Sequence, residues 1–205
     1  SESRPCTRKF EAFKNLAVDF IEQNNAELAD ALKNEIFKKD ELECVLFLKG
    51  IGIPSATVGV CTLSDYENSA RKDIEDFSNQ TAFNPSKNAC VIVDPGNWLC
   101  AVEFARKYPE ADLIIADPRP GLLSKIIRRC VFTHHFNKKT LALVADEKIP
   151  NWKKLYSEKL ASLKTEGKEI VFFKPSSTWK FTETKNIFSP KRKFLSSSLF
   201  SASST

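Results

Sequence analysis

Four short apolar runs in this chain end on a charged side chain. Ala89–Val93 runs into Asp94, Leu113–Ala116 into Asp117, Thr140–Ala145 into Asp146, and Glu169–Phe173 into Lys174. Runs this short, and this rich in β-branched residues, predict buried strands. In a parallel sheet, ligands bind beyond the carboxyl ends of the strands. Charge at those ends is therefore where chemistry is expected. An acid closing the second strand suits a ribose, because its two oxygens can accept from both hydroxyls. Asp94 and Asp117 together would put two carboxylates on the lip of one pocket. A lysine closing a strand is less expected, since that position is partly desolvated. Alone, Lys174 would snorkel to solvent. Paired with Asp146 from a neighbouring strand, it would form a poised buried ion pair.

The elements that must carry these groups follow from the punctuation between them. Asp94-Pro95-Gly96 has the chemistry of a turn, and Asn97 can cap a helix that starts at Trp98. Trp98, Val102 and Ala105, with Leu99, keep helical spacing until Tyr108-Pro109 stops the run. Strand, turn, helix and strand over Asn88–Pro120 make a right-handed crossover between two parallel strands. Upstream, residues 10–39 are helical in pattern, with Asn24-Asn25 as a break. Glu43–Leu48 is a strand, and Leu63–Phe77 a second helical stretch with Ser64 as a cap. Downstream, Gly121–Arg129 is a short helix, Cys130–Thr133 a third strand, and Thr140–Ala145 a fourth. A helix from Pro150 to Thr165, stopped by Gly167, precedes the fifth strand at Glu169–Phe173. Ile187–Phe188 and Phe194–Phe200 would add edge strands. Alternation of strand and helix predicts an α/β fold with a mainly parallel central sheet flanked by helices.

Bulk composition narrows the classes. The 205 residues suffice for one core but hardly for two. A single domain is expected: an N-terminal extension over 1–62, a core over 63–185 and a tail over 186–205. The absence of Met, position 1 included, predicts a piece of a longer chain. No run approaches the roughly 18 apolar residues of a membrane span, and no signal peptide opens the sequence. A soluble protein without a membrane partner is expected. The formal charge of +5 permits a nucleic-acid partner without requiring one. Basic groups at 128–129, 138–139, 153–154 and 191–193 would form an RNA track if they converged around the pocket. The six cysteines include no C-x-x-C pair and predict buried thiols in a reducing compartment. His134-His135 would face opposite sides of a strand, so no metal is expected. No phosphate loop, G-x-S-x-G or H-E-x-x-H occurs.

The region Asn68–Trp179, with Lys72 in SARKDI, Asp146 after TLALVA and Lys174 in EIVFFKPSSTW, resembles the RNA cap 2′-O-methyltransferases of coronaviruses and other nidoviruses. That resemblance implies a Rossmann-like methyltransferase sandwich using S-adenosylmethionine. It implies a Lys-Asp-Lys-Glu active site, with Lys72, Asp146 and Lys174 as its first three members. Asp94, Pro95, Gly96 and Asn97 would form the cofactor loop, Asp117 would grip the ribose, and Cys130 would stand beside the adenine. Capped RNA would be the substrate, a small viral protein the partner, and the replication complex in the host cytoplasm the location.

The departures from the family pattern bear on chemistry. The cofactor loop holds one glycine and the bulky Trp98. Ser198 stands where the tetrad places its Glu, and Arg129 replaces the acid that precedes Cys130. Methyl transfer to a ribose hydroxyl needs donor and acceptor held in line and one proton accepted. A lysine serves as that base only if its pKa falls, and Ser198 cannot supply the balancing charge. Two other functions therefore stand beside the enzyme. One is a catalytically inactive methyltransferase-fold module that binds RNA or a replicase protein; the other is an unrelated Rossmann-like nucleotide binder.

Overall fold

The computed structural model describes residues 5–47, 54–58, 61–62, 67–178 and Phe188. Its centre is a parallel sheet of four strands, β4 (Asn88–Val93), β5 (Asp112–Asp117), β6 (Leu141–Val144) and β7 (Glu169–Phe173), in the order β6-β5-β4-β7. The chain is α/β, a Rossmann-like sandwich with helices on both faces of the sheet. The first three strands are laid down in one direction and β7 returns to the other side of β4. The strand order thus reverses between β4 and β7.

Alternation along the strands divides the interior into two cores. Cys90, Ile92, Leu113, Ile115, Ala142, Val144 and Phe173 face one side. Ala89, Val91, Val93, Ile114, Ala116, Leu141, Leu143, Ile170 and Phe172 face the other. The first side is covered by α3 (Glu67–Thr81), α4 (Leu99–Lys107) and α5 (Pro120–Ile126), through residues such as Ile74, Phe77, Phe104, Leu122 and Leu123. The second is covered by α6 (Trp152–Thr165) through Trp152, Tyr156 and Leu163. Gly167, at φ +77°, ends α6 in a left-handed cap, and the Lys168 amide donates back to the Leu163 carbonyl at 2.9 Å.

The N-terminal segment joins the first core. It holds α1 (Pro5–Glu22), α2 (Ala26–Lys33) and an antiparallel sheet of β1 (Cys44–Phe47), β2 (Ser55–Val58) and β3 (Cys61–Thr62) in that order. The break at Asn24-Asn25 forms as the sequence predicts, and Asn25 caps α2 by accepting from the Leu28 amide at 3.1 Å. These two residues also close an edge of the main sheet. Asn24 Nδ2 donates to the Thr140 carbonyl at 3.1 Å, and Asn25 Nδ2 to that of Ala142 at 2.9 Å. The outer carbonyls of β6 are thereby covered.

Some expectations are corrected. Cys130–Thr133 is not a strand. Phe132 and Phe136, four residues apart, both pack on Trp98, and a 3₁₀ turn at Thr133–His135 brings them to one side. His134 and His135 accordingly lie on that turn, with ring centroids 3.8 Å apart, and not on opposite faces of a strand. Helix α4 begins at Leu99 and α6 at Trp152, slightly later than predicted. Ser64 and the tail, apart from Phe188, lie outside the described residues. Phe188 is buried against Trp152 and Tyr156, and its carbonyl accepts from the Tyr156 hydroxyl at 2.8 Å.

Candidate functional site

In sheets of this kind the ligand crevice opens where the strand order reverses. Here that point lies between the carboxyl ends of β4 and β7, which finish on Asp94 and Lys174. Lys174 Nζ donates to Asp94 Oδ2 at 3.2 Å, and both side chains are fully buried. The Arg119 guanidinium adds a second donor to the same oxygen at 2.9 Å. Asp117, at the end of β5, is also fully buried. Its Oδ1 accepts from the Arg119 amide at 2.7 Å and its Oδ2 from the Trp98 indole nitrogen at 2.6 Å. Two carboxyls and two cations thus share the end of the sheet. Burial pushes the Asp117 carboxyl up to about 7, although the Trp98 and Arg119 donors pull it down.

The loop that carries Asp94 is wound tightly. Asp94, Gly96 and Trp98 have φ of 56°, 61° and 68°. Only the glycine adopts this left-handed region without steric cost; for Asp94 and Trp98 it costs on the order of 1–2 kcal/mol each. The surroundings hold the strain in place. The Asp94 amide donates to the Ala116 carbonyl at 2.9 Å, and the Thr178 hydroxyl donates to the Asp94 carbonyl at 2.9 Å. Asn97, fully buried, accepts from the Leu99 amide at 3.3 Å and donates to the Pro54 carbonyl at 3.3 Å, which ties the loop to the N-terminal segment. The winding turns Trp98 inward. Its ring is 1% exposed and rests on Phe132 and Phe136, at centroid distances of 5.6 and 6.2 Å.

The residues proposed from sequence are brought together only in part. Asp94, Pro95, Gly96, Asn97 and Asp117 form one buried cluster with Lys174. Asp146 does not join it. The pairing of Lys174 with Asp146 presumed neighbouring strands, but β5 and β4 lie between β6 and β7. Three strand spacings amount to roughly 14 Å. The displacement follows from the missing strand at 130–133, which makes Thr140–Ala145 the third strand of the sheet and not the fourth. Asp146 instead accepts from the Lys148 amide at 2.8 Å, beside an open groove of about 510 Å³ that includes Glu147, Trp152 and Lys153. Lys72 is exposed on α3, whereas its neighbour Asp73 is buried and accepts from the Ser176 amide at 2.9 Å. Cys130 follows α5, its thiol donating to the Ile126 carbonyl at 3.7 Å, with burial pushing it up to about 12. Ser198 lies outside the described residues.

Arg119, which clamps both carboxylates, was not singled out from sequence. Its one signal is its place in Asp117-Pro118-Arg119-Pro120, immediately after an acid that ends a strand. Among the described residues no group of three or more His, Cys, Asp or Glu side chains could hold a metal ion. Compared with protein-family models, curated proteins and solved structures, the chain matches none.

Proposed function

We propose that this chain is a methyltransferase-fold module, of the kind it resembles in the nidovirus cap 2′-O-methyltransferases, that has closed its S-adenosylmethionine crevice and serves a replication complex as a binding module. One observation carries the reading: the Trp98 indole nitrogen lies 2.6 Å from Asp117 Oδ2, where the resemblance puts a cofactor ribose, and both residues are buried. The separation of Asp146 from Lys174 by two intervening strands supports it, because a proton acceptor and its partner must share one centre. A protein partner is favoured over capped RNA. The basic pairs at 128–129 and 153–154 follow α5 and lie on α6, on opposite faces of the sheet, so they form no common track.

A second reading, an active S-adenosylmethionine-dependent RNA 2′-O-methyltransferase, draws on Lys174 and Asp117 standing together at the reversal of strand order. It requires Trp98 to withdraw from Asp117. Titration calorimetry with S-adenosylmethionine and S-adenosylhomocysteine separates the two. No heat of binding up to millimolar ligand is expected, and methyl transfer to capped RNA should not exceed that of Lys174→Ala. A micromolar dissociation constant, or transfer that depends on Lys174, overturns the binding-module reading.

A further inference from the structure

Trp98 covers a carboxyl that resists ionisation where it stands. Asp117 is fully buried at the end of β5, and the indole N–H meets its Oδ2 at 2.6 Å. The groups that face it come from several elements. Asp94 reaches it from the end of β4, Arg119 from the start of α5 and Trp98 from the loop between β4 and α4, while the Cys44 thiol on β1 lies within its field. The cations are engaged elsewhere: Lys174 and the Arg119 guanidinium both donate to Asp94 Oδ2. The two hydrogen bonds that Asp117 receives come from an indole and a backbone amide, both uncharged. Burial therefore outweighs them and pushes the carboxyl up to about 7.

The cover is held by parts that can move without the sheet. Trp98 lies one residue ahead of α4, and both it and Asp94 hold left-handed backbone that a non-glycine residue adopts at a cost. Rearrangement of the loop relieves that strain. On its far side the ring rests on Phe132 and Phe136, which flank a 3₁₀ turn of three residues, and Phe136 leans on Phe20 of α1 at 5.7 Å. These supports belong to a turn and a helix. The strands beneath keep their own ladder, β4 with β5 and β7, whichever way the indole lies.

The sign of the coupling follows from the proton. Once water reaches the carboxyl, its proton leaves near pH 4, as from an exposed aspartate. The covered form binds a proton that the uncovered form releases. The uncovered form therefore gains on the covered one as the pH rises from about 4 to about 7, by up to about tenfold per unit, and levels off above. The turn that carries Phe132 and Phe136 also titrates, through His135. Burial, His134 and the Arg106 guanidinium, whose Nη2 lies 3.3 Å from Nε2, hold it below the ordinary histidine value, against the pull of Glu103. Its protonation acts in the opposite direction, favouring the form that gives the ring more water.

We propose that Trp98 is a proton-held plug: the loop over Asp94–Trp98 keeps the indole on Asp117 at acid pH and releases it as the pH rises to neutrality, opening the buried strand ends to water. The plug stands apart from the binding-module reading. Strand ends open to water are not thereby shaped for a cofactor, and calorimetry with S-adenosylmethionine at pH 8 tests that reading alone. The plug is tested by hydrogen exchange of the Trp98 indole N–H, followed by NMR on the full chain, with Trp152→Phe and Trp179→Phe spectra to assign the signal. Protection is taken against free tryptophan at each pH. It should fall at least about tenfold between pH 5 and pH 8, and stay below that of the β4 amides, which open only with the whole fold. In Asp117→Asn, which cannot titrate, the fall should shrink to under about threefold. Should that variant not fold, the carboxyl carbon shift of Asp117 in wild type takes its place, and its midpoint should lie where the indole protection levels off. Indole protection that does not change with pH, or that equals that of the β4 amides, overturns the proposal. So does an unchanged fall in Asp117→Asn, or a carboxyl midpoint near that of an exposed aspartate.

Discussion

Asp117 holds its proton up to about pH 7 because burial disfavours the carboxylate more than the Trp98 and Arg119 donors favour it. An unfolded chain releases that proton near pH 4. Between these values the folded state binds the extra proton, so this group's contribution to stability is complete below pH 4 and is lost as the pH rises to 7. The loss is at most about 4 kcal/mol. Urea titrations of wild type and Asp117→Asn at pH 4 and 8 should differ by a substantial part of that amount, with wild type losing more; parallel curves would refute the assignment. Lys174→Met leaves Asp94 buried with one cation fewer and should cost about 3–5 kcal/mol in chemical denaturation, and Asp94→Asn added to it should restore part of the loss. The charged ends of the strands were legible from residue type alone. Their partners were not, because Trp98 comes from a loop whose left-handed turns no local pattern announces, and Arg119, between two prolines, belongs to no motif.

Helix α5 lies close to the 3₁₀ turn at Asp40–Glu43 because Gly121 has no side chain; a Cβ there would overlap the Asp40 carbonyl. The backbone atoms cannot yield as a flexible side chain would. Gly121→Ala should therefore destabilise the protein by about 1–3 kcal/mol, and hydrogen exchange should quicken in the Asp40–Glu43 turn and α5 before the central sheet. The elements themselves were mostly readable. Asn24-Asn25 marks the break before α2, Gly167 stops α6, and the apolar runs of β4 to β7 are unmistakable. The sequence VFT at 131–133 has the composition of a strand, yet two phenylalanines drawn to one indole outweigh that preference.

Strand order is a property of the whole molecule, and it decides which strand ends meet. A run of apolar residues records that it is buried but not which neighbour buries it. The α/β class was therefore legible, while the pairing of Asp146 with Lys174 failed once β6 took an outer position. The basic pairs at 128–129 and 153–154 likewise lie on opposite faces of the sheet.

The corner between α1 and α2 is fastened to β6 by Asn25, whose hydrogen bond to Ala142 spans 117 residues. A ribosome adding roughly 5–20 residues per second needs on the order of ten seconds to bridge that interval. Throughout it the two helices have emerged while the strand that anchors them is still unmade. The two helices are thus translated well before they can be seated, and for those seconds their apolar stripe stays open to a chaperone.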